Sequence, residues 1–359
     1  MKIAKSKWDK LVEKYLFLYK EGFFELPYLS NSAKIMVDSV IELPVATNKP
    51  LEQGIYSNNP FCKGTMYYRE IEEDFSILLT DINIKENIKA KAIYDDNHSS
   101  NYYILSFSVF EYEFSIKNAN GKNTKLTSTC WTFYKPKTEV ETYFYKNTKG
   151  IFFNFLFDKK WACENILISN KENKIAFNNF LDSEIGFYTW LDIAPKAHNL
   201  SKVMSRIITN EKAGIFNIDA IKTDAFKLIN DFFENAFDDN RISDNISLSN
   251  LDYAKISKAE KIILLNLKLP FIGVNAIAQE INMSPTKLKS NFKMIYGFSM
   301  LQYHKEKNML LAKQLLEKSD VLINHIFILT GYESASKFTA AFKKRFGKLP
   351  SEYRNKSSF

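Results

Sequence analysis

Two segments near the end of the chain present lysine, serine and threonine side chains in the same arrangement. SPTKLKSNFKMIYG, residues 284–297, aligns with SASKFTAAFKKRFG, residues 334–347, at an offset of 50. The copies match in identity or character at these pairs: Ser284/Ser334, Lys287/Lys337, Leu288/Phe338, Phe292/Phe342, Lys293/Lys343 and Gly297/Gly347. Ammonium and hydroxyl groups on one face suit the phosphates and base edges of a nucleic acid.

Each copy is predicted to be one helix, with a serine as N-cap and a glycine as stop. Helical spacing turns an apolar stripe inward, formed by Leu288, Phe292 and Ile295 in the first copy and by Phe338, Ala341 and Phe342 in the second. The outward side chains are the candidate DNA-binding residues: Thr286, Lys287, Lys289, Ser290 and Lys293, then Ser336, Lys337, Thr339, Lys343 and Lys344. Within the first copy, Thr286, Lys287, Lys289 and Ser290 are expected at base edges and Lys293 at a phosphate.

A shorter helix and a sharp turn precede each copy. Residues 277–281 lead to Asn282, and residues 326–330 lead to Gly331, two residue types that reach left-handed backbone geometry cheaply. Between the units, residues 299–317 read as one helix, roughly 28 Å long at the standard rise. Two recognition helices held that far apart fit successive major grooves, about 34 Å apart.

The charge changes sign where this region begins. From Lys255 to the end the chain has 18 Lys and Arg against 7 Asp and Glu, whereas the preceding part has 31 against 34. A basic module on a mildly acidic body indicates a polyanionic partner.

Residues 255–354 resemble the DNA-binding domain of AraC/XylS-type transcription regulators. The resemblance rests on AIAQEINMSPTKLKSNFK, AKQLLEKSD, LTGY, SKFTAAFKKRFG and LPSEYR, in that order. It implies a sequence-specific DNA-binding transcription regulator with two helix-turn-helix motifs, whose partner is double-stranded promoter DNA. RNA polymerase is a further partner that such a regulator implies.

The chain departs from the family pattern at four positions. Ser290 and Ala340 stand where family members usually carry an arginine, the side chain that reads guanine best. Phe327 replaces a small residue and Leu322 a polar cap, so the second unit is expected to pack differently or to read weakly. The resemblance also implies that the first helix does most of the base reading.

The front of the chain is predicted to be β-rich, which makes the whole an α+β multidomain protein. Phe110 to Ile116 alternate apolar with polar residues, and Asn120-Gly121 suits a hairpin turn. We expect a β-rich domain over residues 1–157, a helical dimerisation segment over 158–237, a linker over 238–254 and the DNA-binding domain over 255–359. The resemblance implies that the first of these is a cupin-like sensor of a small-molecule effector.

A broad apolar stripe marks the helix predicted around Ile221, Ala225, Leu228 and Phe232. Its partner is either the β-domain or a second subunit. Because the face is large for one small domain to cover, we expect a homodimer.

Catalysis and metal binding have little support in the sequence. No Gly-rich phosphate loop and no G-x-S-x-G elbow is present, so we expect no enzyme, no catalytic residue and no cofactor. His98 and His198 are too far apart for a metal site. Cys62, Cys130 and Cys163 are interpreted as small buried side chains, although a thiol sensor using Cys130 is an alternative.

The start of the chain lacks the apolar run of a secretory signal, and no apolar run is long enough for a bilayer, so we expect a cytoplasmic protein without a membrane partner. The main alternative to a regulator is a helical protein-interaction module that binds nucleic acid nonspecifically. Salt dependence of binding separates the two.

Overall fold

In the computed structural model, residues 7–98, 101–117, 123–183, 187–191, 199, 202–203, 218–238, 250–267, 269–296, 298–318 and 321–355 are described. The chain divides into two compact units. The first comprises Met1–Phe110 and Ser128–Ala254, and the second comprises Glu111–Thr127 and Lys255–Phe359.

Two sheets organise the first unit. The larger has the order β12-β9-β8-β11-β6-β5-β4-β3, and the smaller has the order β1-β2-β7-β10. The strands are β1 (Tyr19–Lys20), β2 (Phe23–Leu29), β3 (Thr47–Lys49), β4 (Gly54–Asn58), β5 (Cys62–Glu72), β6 (Phe75–Ile84), β7 (Ile88–Ile93), β8 (Tyr103–Lys117), β9 (Asn123–Tyr134), β10 (Glu141–Phe144), β11 (Thr148–Phe157) and β12 (Phe187–Leu191). In the smaller sheet β2 and β7 run parallel, and in the larger sheet β5, β6 and β11 run antiparallel to their neighbours.

Five helices accompany these sheets in the described part of the first unit: α1 (Lys7–Tyr15), α2 (Ala33–Ile41), α3 (Lys159–Asn165), α4 (Lys171–Asp182) and α5 (Ile218–Asp238). Successive side chains of a strand point to opposite faces of the sheet. On β6, Ile77 and Leu79 contribute to one core, whereas Leu78 contributes to a second core with Met36 and Val37 of α2.

The main core lies between the larger sheet and helices α3, α4 and α5, and it is densely aromatic. Phe75 stacks on Trp161 of α3 at 4.3 Å, and Trp131 of β9 packs against Phe232 of α5 with ring centroids 4.9 Å apart. The ring of Phe133 packs against an aromatic ring of α4. Phe75, Trp131 and Phe133 are therefore core residues.

Helix α5 buries its apolar stripe inside this core. Ile221, Ala225, Leu228 and Phe232 are at most 1% exposed and cluster with residues of the sheet. Of the two partners that the sequence left open for this face, the structure shows the β-sheet. The apolar stripe is therefore not available as a dimer surface, and the homodimer stays a prediction.

The predicted boundaries of the front region also differ from the structure. Strand β12 lies within the segment that was predicted to be helical. The last part of the predicted linker, from Asn250, is helical. The hairpin strands β8 and β9 are present, and the turn around Asn120-Gly121 lies outside the described residues.

The second unit is helical beyond the hairpin segment that it includes. Its helices are α6 (Asn250–Leu265), whose first turn belongs to the first unit, α7 (Val274–Glu280), α8 (Pro285–Tyr296), α9 (Met300–Lys318), α10 (Ile323–Leu329), α11 (Ala335–Phe346) and α12 (Pro350–Asn355). The chain thus combines a β-rich N-terminal region with a helical C-terminal domain, which confirms the α+β prediction. In the part of the chain that is described, no helix has the length and apolarity needed to cross a bilayer.

Candidate nucleic-acid interface

Helices α7 and α8 form the first helix-turn-helix motif around a left-handed elbow. Asn282 has a φ of 51°, and the Met283 N–H donates to the Ala278 carbonyl oxygen at 3.0 Å, which closes the turn. The Ser284 hydroxyl then accepts a hydrogen bond from the Lys287 N–H at 3.3 Å and caps α8. The elbow and the cap follow the sequence prediction.

Helix α8, the first recognition helix, separates an apolar face from a polar one. Leu288 and Phe292 are completely buried, and Ile295 is half-buried. All five residues predicted to face outward are exposed: Thr286, Lys287, Lys289, Ser290 and Lys293. The face therefore offers three ammonium groups and two hydroxyls to a ligand.

Tyr303 of α9 supports this helix from behind, a role that the sequence did not indicate. Its ring centroid lies 5.4 Å from that of Phe292 and 5.2 Å from that of Tyr296, and its hydroxyl donates to Glu260 Oε1 of α6 at 2.7 Å. The Lys261 ammonium lies 3.2 Å from the other carboxylate oxygen. Since burying an unpaired carboxylate is expensive, these two donors stabilise Glu260 between α6 and α9.

Helices α10 and α11 repeat the motif. Gly331 has a φ of 74°, the Tyr332 N–H donates to the Phe327 carbonyl oxygen at 3.0 Å, and the Ser334 hydroxyl accepts from the Lys337 N–H at 3.3 Å. Gly347, with a φ of 75°, ends α11. The first helix of this unit lacks a side-chain cap at Leu322, which agrees with the departure seen in the sequence.

Helix α11, the second recognition helix, presents fewer exposed contact candidates than α8. Phe338 and Phe342 are buried as predicted, and Ala341 is half-buried. Among the predicted contact residues, Ser336, Lys337, Lys343 and Lys344 are exposed, whereas Thr339 is half-buried.

One lysine of the second recognition helix has an acidic partner. On α11, the Lys337 ammonium pairs with Glu333 at 2.5 Å, and hydrogen bonding to that ammonium lowers the pKa of the Glu333 carboxyl. Among the residues that the structure describes, Lys289 and Lys293 of α8 form no ion pair. Because a lysine must give up its carboxylate partner before it can bind a phosphate, Lys337 is less available to an anionic ligand than Lys289 and Lys293.

Helix α9 joins the two motifs and has a capping box at its N-terminus. Ser299 and Gln302 form a reciprocal capping box, in which the Ser299 N–H donates to Gln302 Oε1 at 3.0 Å. At 19 residues, the helix has the predicted length, and it spans roughly 28 Å. Glu306 on α9 accepts two bonds from the Arg345 guanidinium of α11, at 2.6 and 2.7 Å, and so fixes the second recognition helix to α9.

The other candidates for chemistry lie apart from this face. Cys62 is buried, which raises the pKa of its thiol, and Cys130 is partly buried beside Thr132. Cys163 is exposed, so its interpretation as a buried side chain is wrong. His98 is an exposed turn residue, and the described residues contain no cluster suited to a metal ion.

Comparisons with known proteins match the region just described. The family "Helix-turn-helix domain" covers residues 277–356. "Histidine kinase P4" of Formosa agariphila is 32% identical over 113 residues, which are 32% of this chain and 8% of that protein. "HTH-type transcriptional regulator ExsA" of Pseudomonas aeruginosa is 38% identical over 77 residues, which are 21% of this chain and 28% of that protein. The chain therefore spans less than a third of these relatives.

A crystal structure of a transcriptional regulator from Chromobacterium violaceum, described as containing an AraC-type DNA-binding domain, is 24% identical; the match covers 30% of this chain and 94% of that one, with a TM-score of 0.28. The family match spans both motifs. The C-terminal region of the chain is accordingly a helix-turn-helix domain of the AraC type.

Proposed function

We propose that the protein is a transcription regulator that binds double-stranded promoter DNA in a sequence-specific manner. The observation that supports this most is the exposed polar face of α8, which stands on a capped helix behind a rigid elbow. Helix N-terminal turns of this kind enter the major groove, where hydroxyl and ammonium groups meet base edges. The net charge of the second unit favours the approach to a polyanion.

We assign the base contacts to the N-terminal half of α8. Thr286, Lys287, Lys289 and Ser290 lie within its first two turns, and Lys293 follows about one turn later, where the phosphate backbone is the nearer partner. On α11 we propose phosphate contacts by Ser336, Lys337, Lys343 and Lys344. The half-burial of Thr339 and the pairing of Lys337 with Glu333 make α11 the weaker reader.

We propose that the first unit regulates this activity through a small-molecule effector, and that the protein acts in the cytoplasm as a homodimer that also contacts RNA polymerase. The family resemblance supports these proposals. Since α5 and the larger sheet bury each other's apolar faces, the subunit contact must use a different surface.

Binding of the full chain to DNA as a function of salt tests the proposal. We expect a preferred site to emerge from fragments of genomic DNA, and the logarithm of its affinity to fall linearly with the logarithm of salt concentration, with a slope of about −0.9 per phosphate contact. Affinity for every fragment alike, without a preferred site, would instead support the protein-interaction module with nonspecific nucleic-acid binding.

A further inference from the structure

Two lysines of α6 donate hydrogen bonds to the backbone of the first helix-turn-helix. The Lys255 ammonium donates to the Asn282 carbonyl oxygen at 2.7 Å, and the Lys258 ammonium donates to the Glu280 carbonyl oxygen at 3.3 Å. The Lys258 side chain is only 10% exposed. Because they are three residues apart on a helix, the two lysines share one face of α6.

The Glu280 carbonyl group is the last of helix α7, and the Asn282 carbonyl group belongs to the elbow that follows it. The last carbonyls of a helix have no intrahelical donor, and they form the negative end of its dipole, where a cation is stabilising. Asn282 also holds a left-handed conformation, with a φ of 51°, at the point where the chain changes direction. A donor at this elbow therefore stabilises the turn that directs α7 into α8.

A third residue of α6 supports the recognition helix indirectly, through Tyr303. Glu260 of α6 accepts the Tyr303 hydroxyl, and the Tyr303 ring packs against Phe292 and Tyr296 of α8. Helix α6 thus holds the elbow through Lys255 and Lys258, and it holds the support of the recognition helix through Glu260.

We propose that α6 is a working part of the DNA-reading module, and that Lys255 and Lys258 are positioning residues that set the orientation of α8 without contacting DNA. This inference rests on the proposed DNA-binding function. It gives these two lysines a different role from Lys293, which is proposed to contact a phosphate.

The test compares the full-length variants Lys255→Met and Lys255→Arg with wild type, on the preferred DNA site and on an unrelated duplex of equal length. Lys255→Met keeps most of the apolar stem and removes the donor. We expect it to bind the preferred site about tenfold more weakly, because a hydrogen bond from a charged donor is lost, while its salt slope and its affinity for the unrelated duplex do not change. Lys255→Arg should restore binding, since a guanidinium can donate to the same carbonyl. A salt slope reduced by about 0.9 would make Lys255 a phosphate contact and overturn the proposal, as would unchanged specific binding.

Hydrogen exchange of the free protein tests the same inference without DNA. The amides of Asn282 and Met283 donate to the Gln279 and Ala278 carbonyl oxygens at 3.2 and 3.0 Å. We expect both to exchange faster in Lys255→Met and at the wild-type rate in the matched control Lys293→Met, which removes an exposed lysine of α8. If the wild type binds no DNA, the proposed function is wrong. Hydrogen exchange still shows whether Lys255 stabilises the elbow. Unchanged exchange at Asn282 and Met283 would refute that role.

Discussion

Replacing Tyr303 with phenylalanine removes one oxygen atom from the centre of the second unit and leaves the ring in place. The hydroxyl donates to Glu260 Oε1 at 2.7 Å, and both side chains are buried, with 1% of Tyr303 and 5% of Glu260 exposed. After the change, Glu260 keeps the Lys261 ammonium at 3.2 Å on its other oxygen. A hydrogen bond to a charged group contributes about 1.5 to 3 kcal/mol, so we expect the free energy of unfolding of the second unit to fall by about 2 kcal/mol.

The positions of the tryptophans provide an assay that separates the two units. All four tryptophans, at positions 8, 131, 161 and 190, belong to the first unit, so their fluorescence follows the unfolding of that unit alone. Far-UV circular dichroism also follows the helices of the second unit. In urea, with a slope of about 1 to 3 kcal/mol per molar, the circular dichroism midpoint of the second unit should fall by about 1 M in Tyr303→Phe while the fluorescence midpoint stays.

The matched control is Tyr332→Phe, because Tyr332 is half-buried and its hydroxyl has no hydrogen bond among the described residues. We expect that change to alter the free energy of unfolding by no more than about 0.5 kcal/mol. If Tyr303→Phe were equally harmless, or if it shifted both transitions together, Glu260 would not depend on the hydroxyl and the reasoning would be wrong.

Three further changes test other parts of the structure. Lys293→Ala should weaken binding to all DNA sequences alike and lower the salt slope by about 0.9; loss of preference at one base would contradict its phosphate role. Gly331→Ala should lower the free energy of unfolding by about 1 kcal/mol, since its φ of 74° disfavours a side chain although no atom lies within 4 Å of the added methyl group; a neutral result in urea would contradict the left-handed elbow. Burial lowers the pKa of Lys135 in the folded protein to about 8, so the unfolded chain, with a pKa of about 10.4, binds more protons between these values. The free energy of unfolding of the first unit, followed by fluorescence, should therefore rise with pH across that window, and Lys135→Met should remove this part of the rise; an equal rise in both proteins would show that other groups cause it.

The features that the sequence predicted well are those with short-range causes. The elbows at Asn282 and Gly331 and the caps at Ser284 and Ser334 depend on residues within a few positions of one another, and residue type alone limits the geometry. The apolar stripe of α8 follows from helical spacing for the same reason. The same pattern recurs 50 residues later, which gives a second, independent instance of the helix-turn-helix motif.

The features that the sequence did not predict depend on residues that are distant along the chain. Tyr303 is 43 positions from Glu260, Arg345 is 39 positions from Glu306, and Lys255 is 27 positions from Asn282. The partner of the α5 stripe was open for the same reason, since an apolar face shows that something covers it and not what does. Cys163 illustrates a different limit, because residue type gives only an average burial.

Selection of binding sites from a random DNA pool tests the central claim, which is that α8 reads bases. The full-length wild type, Lys289→Ala and Ser290→Arg should each be put through the same selection. Wild type should return one motif, Lys289→Ala should return that motif with one position relaxed and about 1 to 3 kcal/mol less affinity, and Ser290→Arg should change the preferred base, toward guanine. If all three proteins returned the same motif, the assignment of α8 to base reading would be wrong.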